Sequence, residues 1–337
     1  MKLAVVTSGF PRRSETFALN ELLELERRGL LAAVLATKPG DGAPPHPGVQ
    51  TLLPKLALVS DPDEAARVAS DAGATAFHGY FAHRPAEVAA LAAAELDVPH
   101  GFSAHARDVR KVDDLGVRAA AAACVIACND DVAADLRGAG ARPTLVPHGV
   151  DLDRFRPSPA PARRELALLA VGRLVPKKGF DVLVAAAARL TFPFRLRIVG
   201  DGPERERLVG LDERVELAGP VTHDELPALY AAADVVVVPS VEDADGDRDG
   251  LPNVVLEAMA SCRPVVASDV GAIASAGAGL LVPPGDPGAL AAALTDLARR
   301  PARRRRLGEH ARQQAEARFG LVACTDRLCR VLEEAYA

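Results

Sequence analysis

The chain has 337 residues, too many for one compact core and about right for two α/β domains, which its 49% hydrophobic content can fill. Aromatic residues are only 4% and Trp is missing, so both cores must be built from Ala, Val and Leu. The net charge of −5 argues against nucleic acid as a partner. The five cysteines (Cys124, Cys128, Cys262, Cys324, Cys329) lack metal-type pairing and are expected to be isolated core thiols in a reducing, cytoplasmic compartment.

Short β-branched runs alternate with Ala/Leu-rich stretches, the pattern of parallel strands joined by crossover helices. Strands are expected at Leu3–Thr7, Leu31–Ala36, Ala74–His78, Cys124–Ala127 and Thr144–Val146, with helices over Ser14–Arg28, Pro62–Ala72, Pro85–Glu95 and Asp131–Gly138. The first strand ends in polar residues and lacks the apolar length of a signal peptide, and no stretch reaches the length of a membrane span. Pro157, Pro159 and Pro161 then disfavour helix and sheet alike. A second alternation follows, with strands at Leu166–Val171, Arg195–Val199, Val215–Ala218, Val235–Pro239, Pro264–Ala267 and Leu280–Val282. The expected organisation is an N-terminal Rossmann-like domain over 1–155 and a Pro-rich linker over 156–165. A second Rossmann-like domain covers 166–320, and a last helix in 321–337 could pack on either domain. Arg299, Arg300 and Arg303 to Arg306 read as a solvated helix face, with peripheral contact to an anionic membrane as the alternative.

Two segments carry candidate chemistry. The first, Ala170 to Phe180, follows a strand and feeds a helix, which is where α/β sheets bind anions. Its Arg173 and Lys178 can clamp a diphosphate, one as a planar fork and the other as a point charge; the competing reading is a solvated basic turn. The second, Asp249 to Glu257, sets two carboxylates across a loop-to-helix junction, where both could accept hydrogen bonds from sugar hydroxyls. The acidic stretch Glu242 to Gly250 invites a calcium reading, but the twelfth position of that loop is Leu256, so a mobile acidic lid is expected and no metal. Neither Gly200-Asp-Gly-Pro-Glu nor the Thr7–Arg12 loop completes a dinucleotide fingerprint, which disfavours a nicotinamide enzyme. Among the histidines, His105 follows a short apolar strand, His148 sits in a turn-like hinge setting, and His78 could line the cleft or simply end a strand.

The order of Leu196-Arg-Ile-Val-Gly-Asp-Gly-Pro, Val215-Glu-Leu-Ala-Gly-Pro-Val, Leu229 to Ser240 and the Asp249/Glu257 pair resembles the C-terminal domain of family 4 glycosyltransferases. Phe10-Pro-Arg-Arg-Ser-Glu-Thr-Phe17, Phe102 to Asp108 and Val146 to Phe155 look like further blocks of that family. The resemblance implies the GT-B fold: α/β, two Rossmann-like domains facing each other across a cleft. Carried onto this sequence, it implies that Arg173 and Lys178 bind the donor diphosphate, with Gly200 and Asp201 beside the base. Glu257 would hold the ribose, flanked by Leu251 and Val254. Asp249 would touch the transferred sugar, His105 would lie near the reacting carbon, and Phe10, Ser14, Glu15 and Thr16 would border the acceptor. Three departures stand out: Asp249 replaces the usual Glu, the segment after Asp269 is shortened and lacks the usual Pro-Glu, and the chain is short for the family.

The implied function is retaining transfer of a hexosyl unit from a nucleotide diphosphate sugar, a uridine diphosphate hexose by expectation, to a glycan or small-molecule hydroxyl. No further cofactor is required, and the enzyme is expected to be a monomer or homodimer. Rival readings are an epimerase or hydrolase on the same plan and a non-catalytic sugar-nucleotide-binding module.

Overall fold

The computed structural model describes all residues except 13, 14, 43–47, 106, 107, 111, 160–162 and 211. It resolves into two units, one of Met1–Gly149 with Leu321–Ala337 and the other of Val150–Gly320.

The first unit holds β1 (Leu3–Thr7), β2 (Leu31–Ala36), β3 (Leu56–Leu58), β4 (Ala76–Tyr80), β5 (His100–Ala104), β6 (Cys124–Ala127) and β7 (Thr144–Leu145). They form one sheet in the order β3-β2-β1-β4-β5-β6-β7, parallel throughout. Helices cover both faces of such a sheet, so inner strands read as apolar runs without alternation; every residue of β1, β2 and β4 is buried. The helix Leu321–Ala335 belongs to this unit: Leu328, Cys329, Leu332 and the following Tyr336 join the core of β1, β2 and the helix Thr16–Arg27. His78 lies inside β4, fully buried, not lining a surface. Its Nδ1 meets the Tyr336 hydroxyl at 2.8 Å and its Nε2 the Ser103 hydroxyl at 2.8 Å. Burial pushes its pKa down to about 3, so the ring is neutral.

The second unit holds β8 (Leu166–Val171), β9 (Phe194–Val199), β10 (Val215–Gly219), β11 (Val235–Val238), β12 (Val265–Ser268) and β13 (Gly279–Val282). The order is β10-β9-β8-β11-β12-β13, again all parallel. The unit begins earlier than the proline run suggests. Val150 donates its N–H to the Phe319 carbonyl at 2.8 Å, and Phe155 is a core residue. Arg312 donates to the carbonyls of Phe155 (3.0 Å) and Ala260 (2.6 Å), and the buried Arg263 binds the Ser158 carbonyl and hydroxyl at 2.8 and 2.9 Å. Backbone carbonyls of the entry segment are thereby satisfied by two arginines of the second unit. None of the five cysteines, all of them described, forms a disulfide. Among the described residues no helix is long and apolar enough to cross a membrane. The arginine run is partly neutralised, since Arg300 and Arg303 pair with Asp296 and Arg304 donates to the Leu297 carbonyl.

Candidate functional site

Each sheet reverses its strand order once, between β1 and β4 in the first unit and between β8 and β11 in the second. Ligands of open α/β sheets bind at such reversals, beyond the carboxyl ends of the strands. The sequence-derived candidates fall on the loops that leave these ends.

In the second unit the loop after β8 carries Arg173, Lys177 and Lys178 and leads into the helix Phe180–Ala187. Gly200, at the end of β9, lies against this loop with φ +142°, and a Cβ there would overlap the Gly172 carbonyl. Glycine is required to let the two turns touch. Asp201 is exposed; its backbone carbonyl accepts from Leu174 N–H at 2.9 Å and its side chain from Gly202 N–H at 2.9 Å. Arg173 is exposed and makes no side-chain hydrogen bond or ion pair with the described residues. Its two lysine neighbours are engaged. Lys178 Nζ donates to Asp249 Oδ2 at 2.7 Å, and Lys177 Nζ lies 3.2 Å from Asp247 and 3.7 Å from Asp249. The Ser240 hydroxyl, just past β11, donates to the same Asp249 Oδ2 at 2.7 Å. Burial pushes the Asp249 carboxyl up, but Lys178, Lys177 and the Ser240 bond outweigh it and hold it below the ordinary carboxylate value.

The acidic stretch, expected to be a mobile lid, forms a turn with its own hydrogen bonds and ion pairs. Asp245 and Asp247 donate backbone N–H to Asp243 Oδ1 at 3.0 Å, and Asp247 and Asp249 reach the two lysines. Unpaired acids so close together repel, and the lysines remove that cost. Glu257 projects from the second turn of the helix Asn253–Ala260 and is 5% exposed. Its Oε2 accepts from the Tyr230 hydroxyl at 2.7 Å, and His223 Nε2 lies 3.7 Å from Oε1. Phe155 packs edge-on to both His223 and Tyr230. Leu251 and Val254, half-buried, pack on the adjacent core. Tyr230, Ser240, Lys177 and His223 are not singled out by the sequence; Lys177, Ser240 and His223 are signalled only by following strand ends, and Tyr230, inside the helix Leu226–Ala232, is not signalled at all.

In the first unit His105 follows β5 and joins a cluster of rings. Its ring centroid lies 4.8 Å from Phe17, 4.6 Å from Phe81 and 5.0 Å from His148, with which it stacks at 8°. Among the described residues neither His105 nitrogen has a hydrogen-bond partner, and both are buried. Burial, with His148, His83 and His78 nearby, pushes its pKa well below 6.5, so the ring is a neutral imidazole. The Asp108 carboxylate accepts the N–H groups of His105 (2.7 Å) and Ala82 (2.5 Å), tying β5 to the turn after β4. His148 Nδ1 donates to Glu21 Oε1 at 2.7 Å, and Glu21 Oε2 accepts from the Tyr80 hydroxyl at 2.9 Å. His148 Nε2 is buried without a partner among the described residues. The donor atoms of His105, Cys128 and His148 lie within 4.8 Å of one another. The two imidazole planes lie 8° apart, His148 Nδ1 is already engaged with Glu21, and Cys128 Sγ accepts from Asn129 at 3.3 Å.

Of the acceptor-side candidates, Glu15 precedes the helix Thr16–Arg27, pairs with Arg12 at 2.8 Å, and has a pKa raised by burial. Thr16 begins that helix, and Ser14 lies outside the described residues. Phe10 is a core residue, 6% exposed, so its phenyl fills the sheet–helix interface and does not present a binding face.

Two family models match, "Glycosyltransferase Family 4" over residues 14–154 and "Glycosyl transferases group 1" over 165–300. A D-inositol 3-phosphate glycosyltransferase of Kineococcus radiotolerans is 38% identical over 242 residues, 60% of this chain and 54% of that protein. A GDP-mannose-dependent alpha-(1-6)-phosphatidylinositol monomannoside mannosyltransferase of Mycobacterium tuberculosis is 41% identical over 154 residues, 40% of each chain. The chain thus spans about half the length of the curated relatives it matches. The crystal structure of Anabaena Alr3699/HepE in complex with UDP shares the fold, with a TM-score of 0.83 at 21% identity over 99% of this chain and 100% of that one. Together the two models cover residues 14–154 and 165–300, and the chain belongs to family 4 of the glycosyltransferases.

Proposed function

We propose that the chain transfers a hexosyl unit from a nucleotide diphosphate sugar to a hydroxyl of a glycan or small molecule, with retention at the transferred carbon. One observation carries this reading: the loop at the second unit's switch point holds Arg173, whose side chain pairs with no described residue, next to Lys177 and Lys178, while the same unit buries Glu257 on a helix that follows β11. Arg173 and Lys178 would bind the donor diphosphate and offset the charge that builds on it as the bond to the sugar breaks. Glu257, oriented by Tyr230, would accept the ribose hydroxyls. Leu251, Val254, Gly200 and Asp201 would border the nucleotide. In the first unit, the neutral His105 and its ring neighbours would meet the sugar, and Glu15 and Thr16 the acceptor. A uridine donor is our choice, supported by the UDP complex of HepE.

The test is calorimetric titration with UDP, GDP, UDP-glucose and GDP-mannose, alongside thermal unfolding. A ligand at one hundred times its dissociation constant stabilises by about 2.7 kcal/mol. A chain that binds none of these, or that binds them equally well as Arg173→Ala, would refute the donor assignment.

A further inference from the structure

We infer that His105, Cys128 and His148 form a binding site for a soft divalent cation, zinc above all, at the carboxyl ends of the first unit's strands. Binding of the ion does not depend on the transfer reaction proposed above. The three residues are scattered in the sequence, and the order of the sheet brings them together. Strands β5, β6 and β7 are neighbours; His105 directly follows β5, Cys128 directly follows β6, and His148 lies on the loop after β7. Ala104 and Ala127 are register partners, so His105 and Cys128 leave the sheet side by side. One ligand atom from each of the three residues lies within 4.8 Å of the other two. Zinc bonds of about 2.0–2.3 Å set tetrahedral ligand atoms roughly 3.5 Å apart, so the three need close by only about 1 Å.

The surroundings suit a metal. His148 donates its Nδ1–H to Glu21 at 2.7 Å, which leaves the lone pair on Nε2, and that nitrogen is buried with no partner among the described residues. A carboxylate that fixes the tautomer of a ligating histidine is the usual outer shell of a zinc site. Both nitrogens of His105 are likewise buried and without a described partner, a cost that an ion would recover. Held by no hydrogen bond to a described residue, the His105 ring can turn about χ2, a broad torsion in histidine, and aim a nitrogen at the ion. Cys128 supplies the soft ligand: its thiol gives up a proton on binding, and Asn129 Nδ2, 3.3 Å from Sγ, is placed to donate to the thiolate. Charge balances, since a dication meets one thiolate and the Glu21 carboxylate. One thiolate and two imidazoles favour zinc over magnesium or calcium, and three protein ligands leave a fourth position for water. His105 and His148 each keep partial exposure, which gives the ion a way in.

The experiment uses the full chain, untagged and freed of metal with a chelator, titrated with zinc chloride by calorimetry and with cobalt chloride by absorption. Wild type should take up one zinc ion, and its cobalt complex should show a sulfur-to-cobalt charge-transfer band in the near ultraviolet. Glu21→Gln should weaken zinc by about 10–100-fold, the usual effect of losing an outer-shell partner, and Cys128→Ser and His148→Gln should weaken it further. Cys128→Ser should also abolish the sulfur band. Where circular dichroism shows that a variant folds poorly, the wild-type cobalt spectrum decides: strong visible absorption from a four-coordinate ion together with the sulfur band supports the site. The inference is overturned if wild type binds no zinc, or if its cobalt complex is six-coordinate and lacks the sulfur band. It is overturned equally if folded Cys128→Ser binds zinc as tightly as wild type, which would place the ion on other groups.

Discussion

His78 makes the stability of the first unit sensitive to acid. Unfolded, its imidazole takes up a proton near pH 6.5; folded and buried between Tyr336 and Ser103, it resists protonation until about pH 3. Between these values the unfolded chain binds more protons than the folded one, so His78's contribution is fully present above pH 6.5 and is lost as the pH falls towards 3. Moving from pH 7.5 to pH 5 should remove about 2 kcal/mol through this one group, since each pKa unit corresponds to about 1.4 kcal/mol. With a urea slope of about 2 kcal/mol per molar, the midpoint should fall by about 1 M. Other groups titrate in the same window, including His100 and His105, whose burial pushes them down, and Asp108, which burial pushes up to about 7. The measurement is therefore a comparison: urea unfolding of wild type and His78→Gln at both pH values, followed by far-UV circular dichroism. The variant will be less stable at pH 7.5, but it should lose about 2 kcal/mol less than wild type on acidification. An equal loss in the two proteins would refute the reasoning.

Arg173→Ala and Lys178→Ala should each lower kcat by roughly 10²-fold, the cost of one preorganised electrostatic contact, and near wild-type steady-state kinetics in both would remove these residues from the chemistry. Tyr336→Phe leaves His78 Nδ1 buried without a partner and should cost about 1–3 kcal/mol in chemical denaturation. Gly200→Ala forces a side chain into a strained backbone and against the Gly172 carbonyl; it should cost the second unit about 1–3 kcal/mol and weaken UDP binding, so an unchanged melting temperature would contradict the close approach.

Apolar runs in the second half predict its strands closely, because a parallel strand covered on both faces writes its position as consecutive apolar residues: Val235–Val238 is all valine and all buried. Where burial is one-sided or small residues carry the strand, the signal fails. β3 is a short, half-exposed edge of Leu-Ala-Leu. β4 lies two residues later than its expected position, because Gly79 looks like a strand terminator yet sits inside it; a Cβ there would press on Ala86 of the helix Arg84–Leu96. At the candidate site the cations and carboxylates were legible as residue types on strand-end loops. Their pairing was not. That Lys178 meets Asp249, or that Glu21 orients His148, depends on side chains 71 and 127 positions apart, and no local spacing encodes it.

The helix Leu321–Ala335 returning to the first unit makes the second unit an insertion whose two ends, Val150 and Gly320, are bridged to each other. A chain that emerges from the ribosome in order can therefore complete Val150–Gly320 while the earlier 149 residues still lack part of their core. The buried His78 meets its Tyr336 partner only after the intervening chain, 258 positions on, has been made. A nonsense codon between positions 320 and 336 would thus injure the first unit and spare the second, and a cassette cut at 150 and 320 is the natural piece to exchange between relatives.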